Sequence, residues 1–200
     1  MSIYKELGNN IISKLKEFGK RKYIAALLIP VVLLFAGCPY EEPLVKEHVI
    51  PVDSSVLGLW EPQPDEGEES GTNERMIILK FSDTEYLIHY PPGGNDEAYY
   101  RGYLIKIGGI SCVQLQIIGT EEGMPKKDAK ALFAVVSYEL KSGILEIRTL
   151  NPDLVDDELK TTDALAQSFL NHKENKDLFI NPVRFRRTSF FLESMPSIPY

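Results

Sequence analysis

The 200-residue chain carries 29 acidic and 22 basic side chains, a formal charge of −7, and 44% hydrophobic residues. That composition can build a core of ordinary size, and its sign argues against nucleic acid as a partner, because such binding rests on phosphate neutralisation by Lys and Arg. Two cysteines, Cys38 and Cys112, are too few for a disulfide framework.

In chain order, residues 1–18 place Ile3, Leu7, Ile11, Leu15 and Phe18 at helical spacing. That pattern suits an amphipathic surface helix, and an over-extended gene start would look the same. A basic cluster, Lys20, Arg21 and Lys22, then precedes an uncharged run from Tyr23 to Phe35. The run is shorter than the roughly 20 apolar residues a membrane span needs, and Pro30 would kink a helix there. A positive region, a short apolar region and small residues before a cut are the parts of a secretory signal. Phe35-Ala36-Gly37-Cys38 resembles a lipobox, the cleavage sequence of bacterial lipoproteins, with Phe35 where that family usually carries Leu. The resemblance implies removal of residues 1–37, acylation of Cys38 and a lipid-anchored protein of the bacterial cell envelope, on the outer membrane in a Gram-negative cell. A plain cleaved secretory signal and a soluble protein with a short membrane-associated leader are the competing readings.

Residues 1–37 hold six basic and two acidic side chains, so residues 38–200 carry −11 against −7 for the whole chain. A domain of that charge is repelled by anionic headgroups, which leaves the acyl chains to attach it; each buried methylene contributes about 0.8 kcal/mol. With Cys38 acylated, Cys112 has no partner in the chain and reads as a small buried hydrophobe.

Residues 38–55 contain Pro39, Pro43 and Pro51 and are expected to form an extended tether, with Val49–Val52 as a docking point. The domain is expected over 56–189. It opens on Val56–Glu61, and 62–73 is an acidic Pro/Gly loop that cannot build a core. Strands are expected at 75–81 and 85–90 around Ser82–Thr84, and at 99–107 and 110–118 around Gly108-Gly109. Two more, at 131–140 and 144–150, flank Lys141–Gly143. Residues 162–172 change period: Leu165, Ala166, Phe169 and Leu170 share one helical face, with Thr161 or Thr162 as cap. A last strand at 182–189 precedes a tail, 190–200. The expected fold class is all-β with one helix near the C-terminus: an antiparallel up-and-down meander of eight strands closing as a barrel, which removes exposed edges.

Gly58-Leu59-Trp60 at the start of the first strand, the meander and the late helix together resemble the lipocalin or calycin barrel over roughly 56–189. In that family the Trp closes one barrel end and an Arg from a late strand stacks over it. Arg148, Arg186 and Arg187 are the available counterparts, and Arg187 is preferred because it shares strand parity with Val183 and Phe185. The resemblance implies a non-enzymatic binder of one small hydrophobic or amphipathic ligand; the alternative is a structural or protein-interaction lipoprotein with a filled barrel.

Chemistry-bearing patterns are sparse. His48, His89 and His172 have no second His or Cys at metal-ligand spacing. The acidic runs 65–69 and 153–158 do not match a calcium loop, and neither a nucleophile elbow nor a phosphate-binding glycine loop occurs. No catalytic group, cofactor or metal is expected, and a hydrolase remains a distant third reading. The one binding signal is aromatic. Tyr86 and Tyr90 share one strand face and Tyr99 and Tyr103 share another, so a tyrosine-lined pocket is expected if both faces point inward. Cross-strand packing on a sheet surface is the competing account.

Overall fold

The computed structural model describes residues 40–63, 74–92, 97–126, 129 and 132–188. The leader with Cys38, most of the 62–73 loop and the 190–200 tail lie outside these residues.

Local turn chemistry builds the sheet. Gly108 and Gly109 take φ of +58° and +89°, and Ser142 and Gly143 take +51° and +80°. These are left-handed conformations that match the twist of two-residue hairpins. The strands are β1 (Gly58–Pro62), β2 (Met76–Lys80), β3 (Tyr86–Tyr90), β4 (Ala98–Ile107), β5 (Ile110–Thr120), β6 (Phe133–Lys141), β7 (Ile144–Leu150) and β8 (Phe179–Arg187). All neighbours pair antiparallel in sequence order, and β8 returns to β1, so the sheet closes into an eight-stranded barrel. The expected up-and-down architecture is the one observed. Helix α1 (Thr162–His172) lies between β7 and β8, with the Thr161 hydroxyl accepting from the Ala164 amide.

β8 begins three residues before the expected start at Pro182. Proline and the left-handed Asn181, with φ of +54°, read as a strand boundary. The β7–β8 register instead shifts between Ile147 and Thr149, and the irregularity absorbs both residues within one strand.

The sheet is apolar on both faces over much of its area. Inside, Trp60, Met76, Ile78, Tyr86, Ile88, Leu115, Leu145 and Phe185 are buried. Outside, α1 covers β4, β5 and neighbouring strands, and Ile105, Cys112, Val135, Leu165 and Phe169 form a second core. Burial pushes the Cys112 thiol up to about 12, so it stays protonated and unreactive.

The stretch expected as a tether is a strap over its described part. Tyr40 exchanges backbone bonds with Phe133, at 2.6 and 3.0 Å, and its hydroxyl donates to the Val155 carbonyl. Gln114, fully buried on the outer face of β5, accepts from the Leu44 and Val45 amides at 2.7 and 3.0 Å and donates to the Val45 carbonyl. The carboxylate of Glu85 meets His48 at 2.8 Å and Arg101 Nε at 2.9 Å. Docking therefore runs from Tyr40 onward, well beyond Val49–Val52, because Gln114, Tyr103 and Glu85 supply polar partners that composition alone does not reveal.

Candidate functional site

The barrel interior is the place where strand alternation concentrates apolar side chains. β2, β3, β5, β6 and β7 contribute Ile78, Ile88, Val113, Val136 and Ile147 to an apolar cavity of about 40 Å³. A water molecule needs roughly 10–15 Å³ on this measure, and drug-sized ligands occupy pockets of about 300–1,000 Å³. Among the described residues the interior is thus largely filled by its own side chains around this small void. Tyr86 and Tyr138 stand at the void with their hydroxyls turned toward a single group, Asp53.

Asp53 caps a short 3-10 turn, Ser54–Val56, that plugs this end of the barrel. Its amide donates to the Tyr86 hydroxyl at 2.5 Å, and its carboxylate accepts from the Tyr138 hydroxyl at 3.1 Å and from the Ser55 amide at 2.9 Å. The Ser55 hydrogen bond leads in holding the Asp53 carboxyl below the usual range. Burial, reinforced by the Asp53 charge, raises the Tyr138 phenol well above its ordinary value. Val56 follows the cap and lines the void. Asp53 and Tyr138 were not anticipated. Asp-Ser-Ser is a local capping signal, and Tyr138 shares parity with Val136, but joining them requires two segments 85 residues apart.

Arg187 and Trp60 meet beside this plug. They are register partners across β1 and β8, and the Arg187 guanidinium carbon lies 4.9 Å from the Trp60 ring centroid. The Trp60 indole donates to the Val56 carbonyl at 2.9 Å, and Arg187 donates to the Ser55 carbonyl. Arg148 and Arg186, the other counterparts considered, point outward; Arg148 bonds Glu146, and Arg186 pairs with Glu61.

The four tyrosines named from sequence do not share one surface. Tyr86 and Tyr90 face inward, and Tyr90 packs edge-on against Phe185 at 6.1 Å. Tyr99 and Tyr103 face outward. Tyr99 stacks on His89 at 4.2 Å and donates to Glu97, while Tyr103 lies under the strap against His48. The pairing of Tyr86 with Gly102 decides this, since it places Tyr100 and Gly102, not Tyr99 and Tyr103, on the inner face of β4. Tyr100 is the inner aromatic that the sequence reading passed over; desolvation raises its phenol to about 12.

Among the described residues no group of three or more His, Cys, Asp or Glu is placed to hold a metal ion, and no helix is long and apolar enough to cross a membrane. Comparison with protein-family models, with curated proteins and with solved structures finds no match to this chain.

Proposed function

We propose that this chain is a lipid-anchored, non-enzymatic envelope protein whose lipocalin-like barrel is a closed scaffold acting through its outer surface. The observation that carries this reading is the interior: about 40 Å³ of apolar void accommodates no acyl chain, porphyrin or other ligand of ordinary size. Anchoring through Cys38 is supported by the basic cluster, the short apolar run and the small residues before the cysteine. The strap adds a consequence. Tyr40 is fixed to Phe133 only two residues after Cys38, a span of about 7 Å at most. The acylated cysteine would hold the barrel directly against the bilayer, with no slack between them.

Labelling with a fatty-acid analogue tests the anchor. Wild type should incorporate label and Cys38→Ala should not; label surviving in Cys38→Ala would defeat the reading. Native mass spectrometry of the purified protein tests the scaffold. A single unliganded mass is expected, and a retained small molecule would overturn it.

A second reading, a binder of one small apolar or amphipathic ligand, is favoured by the plug. The turn after Asp53 places Val56 at the void, and the hydroxyls of Tyr86 and Tyr138 meet at Asp53 beside it. A ligand displacing Val56 would find an apolar wall with Tyr86 and Tyr138 at its rim. Mass spectrometry distinguishes the two readings directly.

A further inference from the structure

Among the described residues, one part of the barrel exterior is left bare. Helix α1 and the strap cover the outer face of β4 and β5 and part of that of β6 and β7, whereas the outer face of β1–β3 carries half-buried Leu59, Ile77 and Leu87 and exposed Leu79 by strand alternation. Leu79 is 50% exposed, Phe81 just beyond β2 is 61% exposed, and Val49 of the adjoining strap is 77% exposed. Scattered exposed apolar residues are ordinary, but a contiguous patch at one end of one sheet face is a docking surface.

We infer that this face is covered by the chain's own residues 189–200. Three observations point to that occupant. The first is position. β8 ends at Arg187, and the Thr188 amide donates to the Leu59 carbonyl at 3.0 Å, so the described chain ends beside the first residue of the bare face. The second is reach. Strands lie about 4.8 Å apart and an extended residue advances about 3.3 Å; the β1–β8 register, continued two residues past Thr188, would reach Leu57, and two or three further residues would suffice to span to Leu79 and Phe81 at the same barrel end. The third is composition. Residues 189–200 supply Phe190, Phe191, Leu192, Met195, Ile198 and Tyr200, with Glu193 their sole charged side chain. A segment this apolar and this close loses least by folding back on the nearest uncovered apolar face. The inference does not depend on anchoring or on an empty barrel.

A photoreactive benzoyl-phenylalanine at position 191 of the full-length chain tests it. Irradiation should give adducts within the same chain on Leu57, Leu79 or Phe81, and Phe81→Ser with Leu79→Ser should reduce their yield at least fivefold while circular dichroism remains that of the folded barrel. A chain ending at Thr188 should bind a hydrophobic dye several-fold more strongly than the full chain, and the same two serines should reverse the gain. Adducts on a second copy, on lipid or on another protein, or no adducts from a folded chain, would overturn the inference. Unchanged dye binding on truncation would do the same.

Discussion

The guanidinium carbon of Arg187 lies 4.9 Å from the centre of the Trp60 ring, across the β1–β8 pair that closes the barrel. The contact joins the last strand to the first and ties both to the plug, because Trp60 and Arg187 donate to the Val56 and Ser55 carbonyls. Cation–π attraction at an exposed guanidinium contributes about 0.5–1 kcal/mol, and a hydrogen bond a similar amount. Arg187→Ala should therefore lower stability by about 1–2 kcal/mol, with Arg187→Lys in between. Trp60, the one tryptophan of the chain, reports urea unfolding by its own fluorescence. A midpoint unmoved in Arg187→Ala would show that the contact contributes nothing.

Gln114 should be the strap's principal clasp. Its side chain is buried and serves two amides, one carbonyl and the Tyr103 hydroxyl. Gln114→Leu keeps the volume but takes the acceptor from the Leu44 and Val45 amides, at about 1–3 kcal/mol for each buried group left unsatisfied, while the Val45 carbonyl keeps the Tyr103 hydroxyl at 3.2 Å. The expected result is faster amide hydrogen exchange at Leu44 and Val45, with the strand amides of β4 and β5 still protected. Protection retained at Leu44 and Val45 would place the clasp elsewhere.

Glu85 makes stability fall in acid. The hydrogen bond from Arg101 is the leading cause that holds its carboxyl below the ordinary value, against the opposing effect of burial. A depressed folded-state pKa means that the unfolded chain binds the proton more readily. The stabilising contribution is therefore complete above the unfolded value near 4.5 and is lost as pH falls below it through the folded value. Arg101→Met should remove part of this slope. Urea midpoints compared at pH 7 and pH 3.5 check it: the difference should shrink in Arg101→Met, and an equal or larger difference would refute the assignment.

The void sets the outcome at Gly102. A Cβ there would come within 3.1 Å of Ile88 Cδ1 and 3.2 Å of Leu115 Cδ2. Both are the free ends of side chains that border the cavity, so they have room to yield. Gly102→Ala should then be tolerated, and the smaller entropy of the unfolded chain should stabilise it by about 0.4–1 kcal/mol. Val113→Ile, which fills the same void, should stabilise alone and cancel that benefit in the double variant. Strictly additive changes in thermal midpoint would mean that the two sites do not share space.

The architecture was legible because its determinants are local. Gly108-Gly109 and Ser142-Gly143 select hairpin turns, alternation marks the strands between them, and the changed period at Leu165–Leu170 marks the helix, whose observed bounds match those expected. Two-residue turns at 108–109 and 142–143 leave their flanking strands no choice but to pair, whereas the long connections 63–75, 121–132 and 151–178 leave the pairing of the strands they join to the closing of the sheet. The inside of the barrel was less legible. β4 reads Tyr99-Tyr100 and Leu104-Ile105, apolar on both parities, because α1 and the strap cover its outer face as the barrel covers its inner one. A one-residue choice there exchanges the two faces completely, and only the register Tyr86–Gly102 makes it.

What the sequence determined by itself is the order of elements, since hydrophobic period and turn geometry act within a few residues. What only the tertiary structure decided is which side chains share a surface. Asp53 with Tyr138 and Gln114 with Leu44 are separated by 70 residues or more. Such pairs are set by barrel closure and strand register, which pack the whole sheet at once and leave no local trace in the chain.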